Sequence, residues 1–518
     1  MSSGLRTRCS LATATALMLL ACIEAVSSQP QGPPFKPGRP IAIRGGLLVD
    51  ATGAPPRWDQ TVLIEGDRIT AVGPMADVQV PTGAEVIDAT GMTVMPGLIN
   101  SNQHIQLNPL YPSPVANLPL VNFQKRWEAN WAKQPQRAFV YLMQGITSMR
   151  NTSGPAKRIL PVKRAIDDGE IPGPRLFLGA ALFMSDENWA TITKRQNIPA
   201  DAVPFVRDEF AFHVVSDVDR DTKAYEGPEF NYWKLVMSDE PFDGKNDFSD
   251  DELRAFIAKA HRLGKKVDVH CGGHNIGLRR MLAFDFDTLE HPFYGQELIE
   301  WDIIEGYKKK DIIVDTLLSV MINGAQRAAD PHRFDETLYI MSFDPAEYRT
   351  LMSYRDKMLA NKRSPDKPGL PSYDAASPPD FPGLEVPRPH GGQVDTGRVP
   401  SFNQLQQQLR TSKENMRRFI KAGVKFSMGT DTGAFLDFQQ EDPNANEMMY
   451  MVEMGMDPVA AIEASTRIGA EALGLTDQLG TVEKGKLADV IVVAGNPLQD
   501  MAAMKRVAYV VKGGVRYK

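Results

Sequence analysis

Six side chains of types that bind or bridge metal ions lie within or just after apolar runs of this 518-residue chain. The segment "GLINSNQHIQ", residues 97–106, follows an apolar run ending in Pro-Gly and sets Asn102 and His104 two apart on one face of a predicted strand. Four more candidates lie within or just after later apolar runs: Lys234, His270, His291 and Asp431. Imidazole and carboxylate groups are usual ligands of Zn²⁺, whereas the neutral amide of Asn102 is a weak one. Their joint placement predicts a site for one or two divalent ions.

These residues need a scaffold that brings distant strand ends together. "SDDELRAFIAKAHRLGKK" is the clearest helix: Ser249 is its N-cap, Glu252 completes a capping box and Gly264 ends it. Strands alternating with helices predict an α/β fold, a (β/α)8 TIM barrel whose reactive groups lie at the C-terminal strand ends. Eight strands are predicted near residues 94–104, 146–150, 175–179, 232–238, 267–270, 288–291, 312–318 and 424–430.

The two ends of the chain share a different pattern, made of short β runs separated by Gly, Asp and Pro turns. We predict that residues 41–92 and 478–518 form one composite β-sandwich domain, and that residues 93–477 form the barrel. A proline-dense insertion at about 325–400 interrupts the barrel before its last strand. It is either a surface loop or a lid over the barrel mouth.

The N-terminus has the order of a secretory signal peptide, with Arg6 and Arg8, a short apolar stretch and small residues near Ser27. We predict that residues 1–28 are removed on export to the periplasm or the medium, and that residues 29–40 are a linker. Lipid anchoring through Cys22 is the alternative. Cleavage would leave Cys271 as the single remaining cysteine, so no internal disulfide is expected. No later segment is apolar over a length that spans a bilayer.

The charge balance excludes one class of partner. The chain has 58 Lys and Arg against 64 Asp and Glu, a net charge of -6, and no basic cluster. Nucleic acid is therefore not an expected partner. We expect a small-molecule substrate instead, and a homo-oligomer only by analogy with similar proteins.

Taken in order, the motifs resemble those of the metal-dependent amidohydrolase superfamily, in its imidazolonepropionase-like and Xaa-Pro dipeptidase-like branch. "VMPGLINSNQH" resembles a first-strand motif that normally reads Pro-Gly-Leu-Ile-Asp-x-His-x-His. The likeness covers nearly the whole chain after residue 41. Further matching segments are "LMQGITSMRN", "GEIPGPRLFLGA", "AHRLGKKVDVH", "EHP", "AGVKFSMGTDTGA", "ASTRIGAEALGL", "GTVEKGKLADVIVV" and "VVKGG".

The resemblance implies a mechanism and a role for each candidate. One ion would be held by the first-strand pair with Asp431, the other by His270 and His291, and a CO2-carboxylated Lys234 would bridge them. Water on such an ion has a pKa of roughly 7 rather than 15.7 and attacks as hydroxide. Asp431 would take its proton and pass it to the leaving group.

Asn102 departs from the family pattern and leaves three interpretations open. The chain is a hydrolase with one tightly bound ion, a hydrolase with two ions in which Asn102 is a ligand, or a non-catalytic exported binding protein with a degraded site. The survival of Lys234, His270, His291 and Asp431 argues against the third.

Cleavage of an amide, peptide or cyclic amide C–N bond is the expected reaction, and a lactone or ester is the alternative substrate. Deamination is disfavoured, because the family's deaminases rely on the first-strand histidine pair. His274 and Arg150 are predicted to contact substrate, since polar groups after these strands do so in the family.

Overall fold

The computed structural model describes residues 35–105, 131–152, 154–195, 200–237, 248–293, 297–319, 402–433 and 442–518, with residues 124, 125, 128 and 322. The predicted signal peptide, residues 29–34 of the predicted linker and the insertion at 325–400 lie outside these residues. No helix within the described ranges combines the length and the apolar character needed to cross a membrane.

Strands account for both sheets of the described structure. They are β1 (Ile41–Leu48), β2 (Arg57–Glu65), β3 (Arg68–Pro74), β4 (Glu85–Asp88), β5 (Thr93–Pro96), β6 (Leu98–Gln103), β7 (Ile146–Asn151), β8 (Arg175–Met184), β9 (Phe212–Val214), β10 (Tyr232–Val236), β11 (Lys266–His270), β12 (Thr288–Glu290), β13 (Ile313–Asp315), β14 (Phe426–Ser427), β15 (Val490–Val493), β16 (Val507–Lys512) and β17 (Val515–Arg516).

The first sheet joins the two ends of the chain. Its strands run in the order β17-β16-β15-β5-β1-β2-β3, with β4 paired to β1. The contact between the ends is the antiparallel pair β5 and β15, in which Met95 faces Ile491. The "VIVV" residues of β15 are all buried, as expected for a central strand. The prediction of a β-domain built from both termini is confirmed, while its boundaries stay a prediction.

The second sheet is the barrel. Eight of its strands follow one another in the order β14-β13-β12-β11-β10-β8-β7-β6, and β9 pairs with β8 on the side. Each neighbouring pair of strands in this sheet is parallel. Backbone hydrogen bonds from Ser101 to Met428 (2.7 Å) and from Thr430 to Asn102 (3.0 Å) join the first barrel strand to the segment after the last. All eight predicted strands are present, so the predicted TIM barrel is confirmed.

One predicted strand is divided. The run 94–104 forms two strands, of which β5 belongs to the terminal sheet and β6 to the barrel. Gly97 separates them, and its backbone packs so closely on Thr147 that a Cβ there would collide with that side chain. The apolar run is continuous because both strands are buried, so its length does not reveal the break.

Helices cover the outside of the barrel strands, as the alternation predicts. They are α1 (Gln134–Met143), α2 (Ala156–Asp167), α3 (Asp186–Arg195), α4 (Val203–Glu209), α5 (Val218–Asp221), α6 (Asp250–Arg262), α7 (Asn275–Met281), α8 (Trp301–Lys309), α9 (Phe402–Ala422), α10 (Pro443–Glu453), α11 (Pro458–Ala464) and α12 (Arg467–Ala472), with 3-10 turns at Lys223–Tyr225 and Met501–Lys505.

Helix α6 has the predicted ends. The Ser249 hydroxyl accepts a hydrogen bond from the Glu252 amide, the Glu252 carboxylate accepts one from the Ser249 amide, and Gly264 adopts a φ of +69°. Its apolar face, with Leu253, Phe256 and Ile257, is buried in the main core. The helix thereby fixes β11, which delivers His270 to the barrel mouth.

Candidate functional site

The six predicted ligands lie at or near the C-terminal ends of barrel strands. Because the strands are parallel, these ends meet on one rim of the barrel. Five of the side chains are buried and the sixth, that of His270, is half-buried. The residues are Asn102 in β6, His104 just after β6, Lys234 in β10, His270 at the end of β11, His291 after β12 and Asp431 after β14.

Asp431 lies between two imidazoles. Its Oδ1 is 2.9 Å from His104 Nε2, and its Oδ2 is 4.0 Å from His291 Nε2. The His291 ring is in turn 4.5 Å, centroid to centroid, from the ring of His270. The imidazoles of His104 and His291 therefore flank one carboxylate, and the ring of His270 lies beside that of His291. This arrangement can hold a cation and can also accept a proton at Asp431.

The backbone at these strand ends adopts conformations that side chains rarely permit. His291 has a φ of +63° and Asp431 a φ of +51°. Left-handed non-glycine residues are sparsely populated and concentrate at functional sites. The amide of Asp431 donates to the carbonyl of Asn102 at 2.8 Å, which holds this conformation and ties the end of the last barrel strand to the first.

Asn102 and His104 share a third partner, the hydroxyl of Thr152. Thr152 Oγ1 lies 2.8 Å from Asn102 Oδ1 and 2.9 Å from His104 Nε2. All three residues are buried. Asn102 Nδ2 has no hydrogen-bond partner among the described residues. The first-strand pair is thus joined by a hydroxyl, a contact that the sequence did not predict.

Lys234 makes an ion pair with Glu290, the residue before His291. Glu290 Oε2 also lies 3.8 Å from His291 Nε2. Both members of the ion pair are buried. Lys234 therefore reaches the neighbourhood of the predicted ligands. Its carboxylation stays a prediction.

Arg150 is placed differently from its prediction as a substrate contact. Its side chain is fully buried and forms ion pairs at 2.7 Å with Asp268 and 2.9 Å with Asp315, while Glu290 is 3.7 Å away. Its guanidinium also lies 5.0 Å from the ring centre of Tyr232. Because its donors face the barrel interior, Arg150 neutralises carboxylates there and is not proposed as a substrate contact.

Burial shifts the pKa values of the acidic side chains around Arg150. Burial raises the pKa of Asp268 well above its ordinary value, although the Arg150 guanidinium opposes the shift. Burial likewise raises the pKa of Asp315 to about 6, against the effect of Arg150. Burial disfavours the charged form of Arg150, but the surrounding carboxylates outweigh it and raise the pKa of Arg150. Arg150 therefore stays a cation.

His274, the second predicted substrate contact, caps helix α7 after β11. Its Nδ1 is 3.7 Å from Glu297 Oε1, and its Nε2 has no hydrogen-bond partner among the described residues. An imidazole nitrogen left unused beside the barrel mouth is consistent with a substrate contact, which stays a proposal.

The donor set can be compared with the metal that the family implies. Within the described ranges, no three His, Cys, Asp or Glu side chains stand gathered as a ready metal cage. By chemistry, however, His270, His291 and Asp431 fit one divalent ion, because two imidazoles and a carboxylate form a set that catalytic zinc uses. Asn102 and His104 fit less well, since Thr152 already engages both.

Two residues of this site were missed in the sequence. Glu290 directly precedes His291, and Thr152 follows Arg150 by two positions at the end of the second barrel strand. Adjacency to a candidate was the available signal for both.

Comparison with known proteins places the chain among enzymes. The model of the Amidohydrolase family matches residues 93–516. Among curated proteins, adenine deaminase 4 of Rhizobium meliloti is 33% identical over 91 residues, which are 17% of this chain and 15% of that protein. The chain thus matches a small part of that relative's length.

Solved structures share the fold over most of the chain. A Xaa-Pro dipeptidase with methionine in its active site superposes with a TM-score of 0.65, at 19% identity, over 92% of this chain and 100% of that chain. Molinate hydrolase gives 0.65 at 22% identity over 93% and 95%. Ochratoxinase of A. niger gives 0.64 at 22% identity over 93% and 96%. At these identities the likeness shows the fold.

Proposed function

The chain belongs to the amidohydrolase family, and from this premise we propose that it is an exported metal-dependent hydrolase that cleaves an amide, peptide or cyclic amide C–N bond. The observation that carries the proposal is the position of Asp431, with its carboxylate between His104 and His291 at the barrel mouth. A carboxylate so placed can serve one ion and one proton transfer in the same site.

His270, His291 and Asp431 would hold a divalent ion, with Zn²⁺ as the proposed metal and Lys234 beside it. When bound, the ion supplies a water of lowered pKa and polarises the carbonyl of the substrate. A carboxylated Lys234 belongs to the two-ion form of the proposal.

The chain's own groups then move the proton. Asp431 accepts a proton from the attacking water at a carboxylate oxygen and returns it to the leaving nitrogen, so that the amine departs neutral. His104 at 2.9 Å limits the orientations of that carboxylate. His274 would bind a polar group of the substrate through Nε2.

Two alternatives use the same residues. A lactone or ester carbonyl would meet the same site and differ in its leaving oxygen. A binding protein with a degraded metal site would hold the ligand without turnover. The stretch similar to an adenine deaminase adds adenine to the compounds worth testing.

The test is a substrate screen with the zinc-loaded full chain, using Xaa-Pro dipeptides, N-acyl amino acids, cyclic amides, lactones and adenine. We expect turnover of a C–N substrate, and a loss in kcat of about 10²–10⁴-fold in Asp431→Asn. Binding without turnover of any compound would favour the binding protein. Equal rates in the variant would remove Asp431 from the mechanism.

Export rests on residues 1–28 and is tested separately. Expression in a Gram-negative host should yield protein in the periplasmic or membrane fraction, with an N-terminus near residue 28 by mass spectrometry. A lipidated Cys22 would identify the anchored alternative. An intact Met1 in the cytoplasm would contradict export.

A further inference from the structure

The hydroxyl of Thr152 contacts both Asn102 and His104, the two candidate metal ligands of the first barrel strand. Thr152 directly follows β7, is fully buried, and lies 2.8 Å from Asn102 Oδ1 and 2.9 Å from His104 Nε2. A threonine hydroxyl has one proton to donate and can also accept. The Asn102 carbonyl oxygen is an acceptor, so the hydroxyl proton points to Asn102.

The same hydroxyl and Asp431 both contact His104. Among the described residues, Thr152 Oγ1 lies 2.9 Å and Asp431 Oδ1 2.9 Å from His104 Nε2. His104 Nε2 is thus already engaged by two side-chain oxygens, and Asn102 contributes only a neutral amide oxygen, a weak ligand for a divalent ion.

Backbone and side-chain hydrogen bonds also join Asn100 and Asn102 of β6 to the segment that follows β14. Asn100 Oδ1 accepts the amide of Asn102 at 3.0 Å, and Asn100 Nδ2 donates to Thr430 Oγ1 at 3.0 Å. The carbonyl of Asn102 accepts the amides of Thr430 and Asp431. The strand therefore holds Asp431 and its neighbour through backbone and side chains together.

We propose that Thr152 has taken the place of the first ion, so that this chain binds one divalent ion and uses His104 as a positioning residue for Asp431. The inference rests on the proposed function, because it assumes that an ion is held by His270, His291 and Asp431. It assigns Asn102, Thr152 and His104 to one hydrogen-bonded unit that orients the proton-accepting carboxylate.

Ion counting decides this without any substrate. The full chain, loaded with excess Zn²⁺ and desalted, is analysed by inductively coupled plasma mass spectrometry. We expect one zinc per chain in the wild type and in Thr152→Ser, which keeps the hydroxyl. The double variant Asn102→His with Thr152→Ala restores two imidazoles and removes the hydroxyl, and should hold two.

Two further single variants keep the test decisive if the double variant does not fold. His104→Gln should keep one zinc, because His104 is not a ligand, whereas His270→Asn should lose it. Two ions or none in the wild type, loss of zinc in His104→Gln, or a folded double variant that stays at one would each overturn the inference.

Kinetics add a measure that a purely structural role would not change. With a substrate from the screen, His104→Gln should lower kcat by about 10–100-fold, the usual effect of losing a residue that orients a ligand or base, and leave KM within about threefold. A rise in KM as large as the fall in kcat would contradict a positioning role. A screen without turnover would count against the proposed function while leaving the ion count decisive here.

Discussion

The guanidinium of Arg150 compensates the negative charge of acidic side chains inside the barrel. It is fully buried and contacts Asp268 and Asp315, while Glu290 is shared with Lys234. Three carboxylates face two cations here, and removing a cation would leave buried charge uncompensated. Such a loss is among the largest effects of a single substitution.

Arg150→Met should therefore lower the free energy of unfolding by about 3–5 kcal/mol. The measurement is urea unfolding followed by circular dichroism. Lys163→Met is the matched control, because Lys163 makes an exposed i,i+4 pair with Asp167 and should change stability by less than about 0.5 kcal/mol. An Arg150→Met variant as stable as the wild type would show that the carboxylates are already neutral.

Asp315 gives this interior a pH dependence. Its folded-state pKa of about 6 lies above the ordinary value of 3.8. The folded state then binds more protons than the unfolded state between these values. The contribution to stability is therefore present below about pH 4 and is lost as the pH rises through 6.

Asp315→Asn lacks that titration. Its melting temperature relative to wild type should rise between pH 4 and pH 6.5 and then stay level, as followed by differential scanning fluorimetry. The groups facing Asp315 include Arg150, Glu290, Asp268, Lys234, Tyr232 and Ser427, and the variant keeps all of them. A constant difference across this range would contradict the raised pKa.

The placement of a single residue at the barrel rim was predictable where a polar side chain ends an apolar run, while its role stays a prediction. This was true of His270, His291 and Asp431. It failed for the inward-facing charges Asp268, inside β11, and Glu290 and Asp315, the last residues of β12 and β13. A barrel strand buried on both faces has no alternation that tells inward from outward positions.

At the scale of elements, the position of the break between the two sheets was not predictable. Gly97 lies where β5 leaves the terminal sheet and β6 enters the barrel, and Thr147 of β7 packs against its Cα. All eight barrel strands were found because each is a short apolar run, but packing alone decides where one run divides.

Gly97→Ala should destabilise the protein by about 1–3 kcal/mol, because the added methyl overlaps a buried side chain. Gly38→Ala is the control, since nothing lies within 4 Å of a Cβ at that position. Thermal melts of both variants test this. Equal melting temperatures would mean that β7 shifts freely to admit the methyl.

On the scale of the whole molecule, the two chain ends form one sheet that also grips the barrel. Asp489 before β15 pairs with Arg175 of β8, and the Lys512 ammonium donates to the carbonyl of Gly173 at 2.6 Å. The likeness of the two ends in sequence indicated this pairing. The polar contacts to the barrel were not predictable, because they depend on how the two sheets are oriented.

Deleting residues 478–518 should prevent folding, because it removes β15 and uncovers β5 and the core beneath it. The expected result is insoluble protein, or soluble protein without a cooperative melt. Deleting residues 1–28 is the control and should leave the melt unchanged. A soluble, cooperatively melting product of the first deletion would show that the barrel folds alone.

The bond from His104 to Asp431 joins residues 327 positions apart. A ribosome must have released almost the whole barrel before the two can meet, and closing so long a loop is slow. The contact between the end of β6 and Asp431 therefore forms only after nearly the whole barrel has been synthesised. A nascent or truncated chain carries His104 and His291 without Asp431, and so lacks the carboxylate that the proposed proton transfer needs until synthesis is nearly complete.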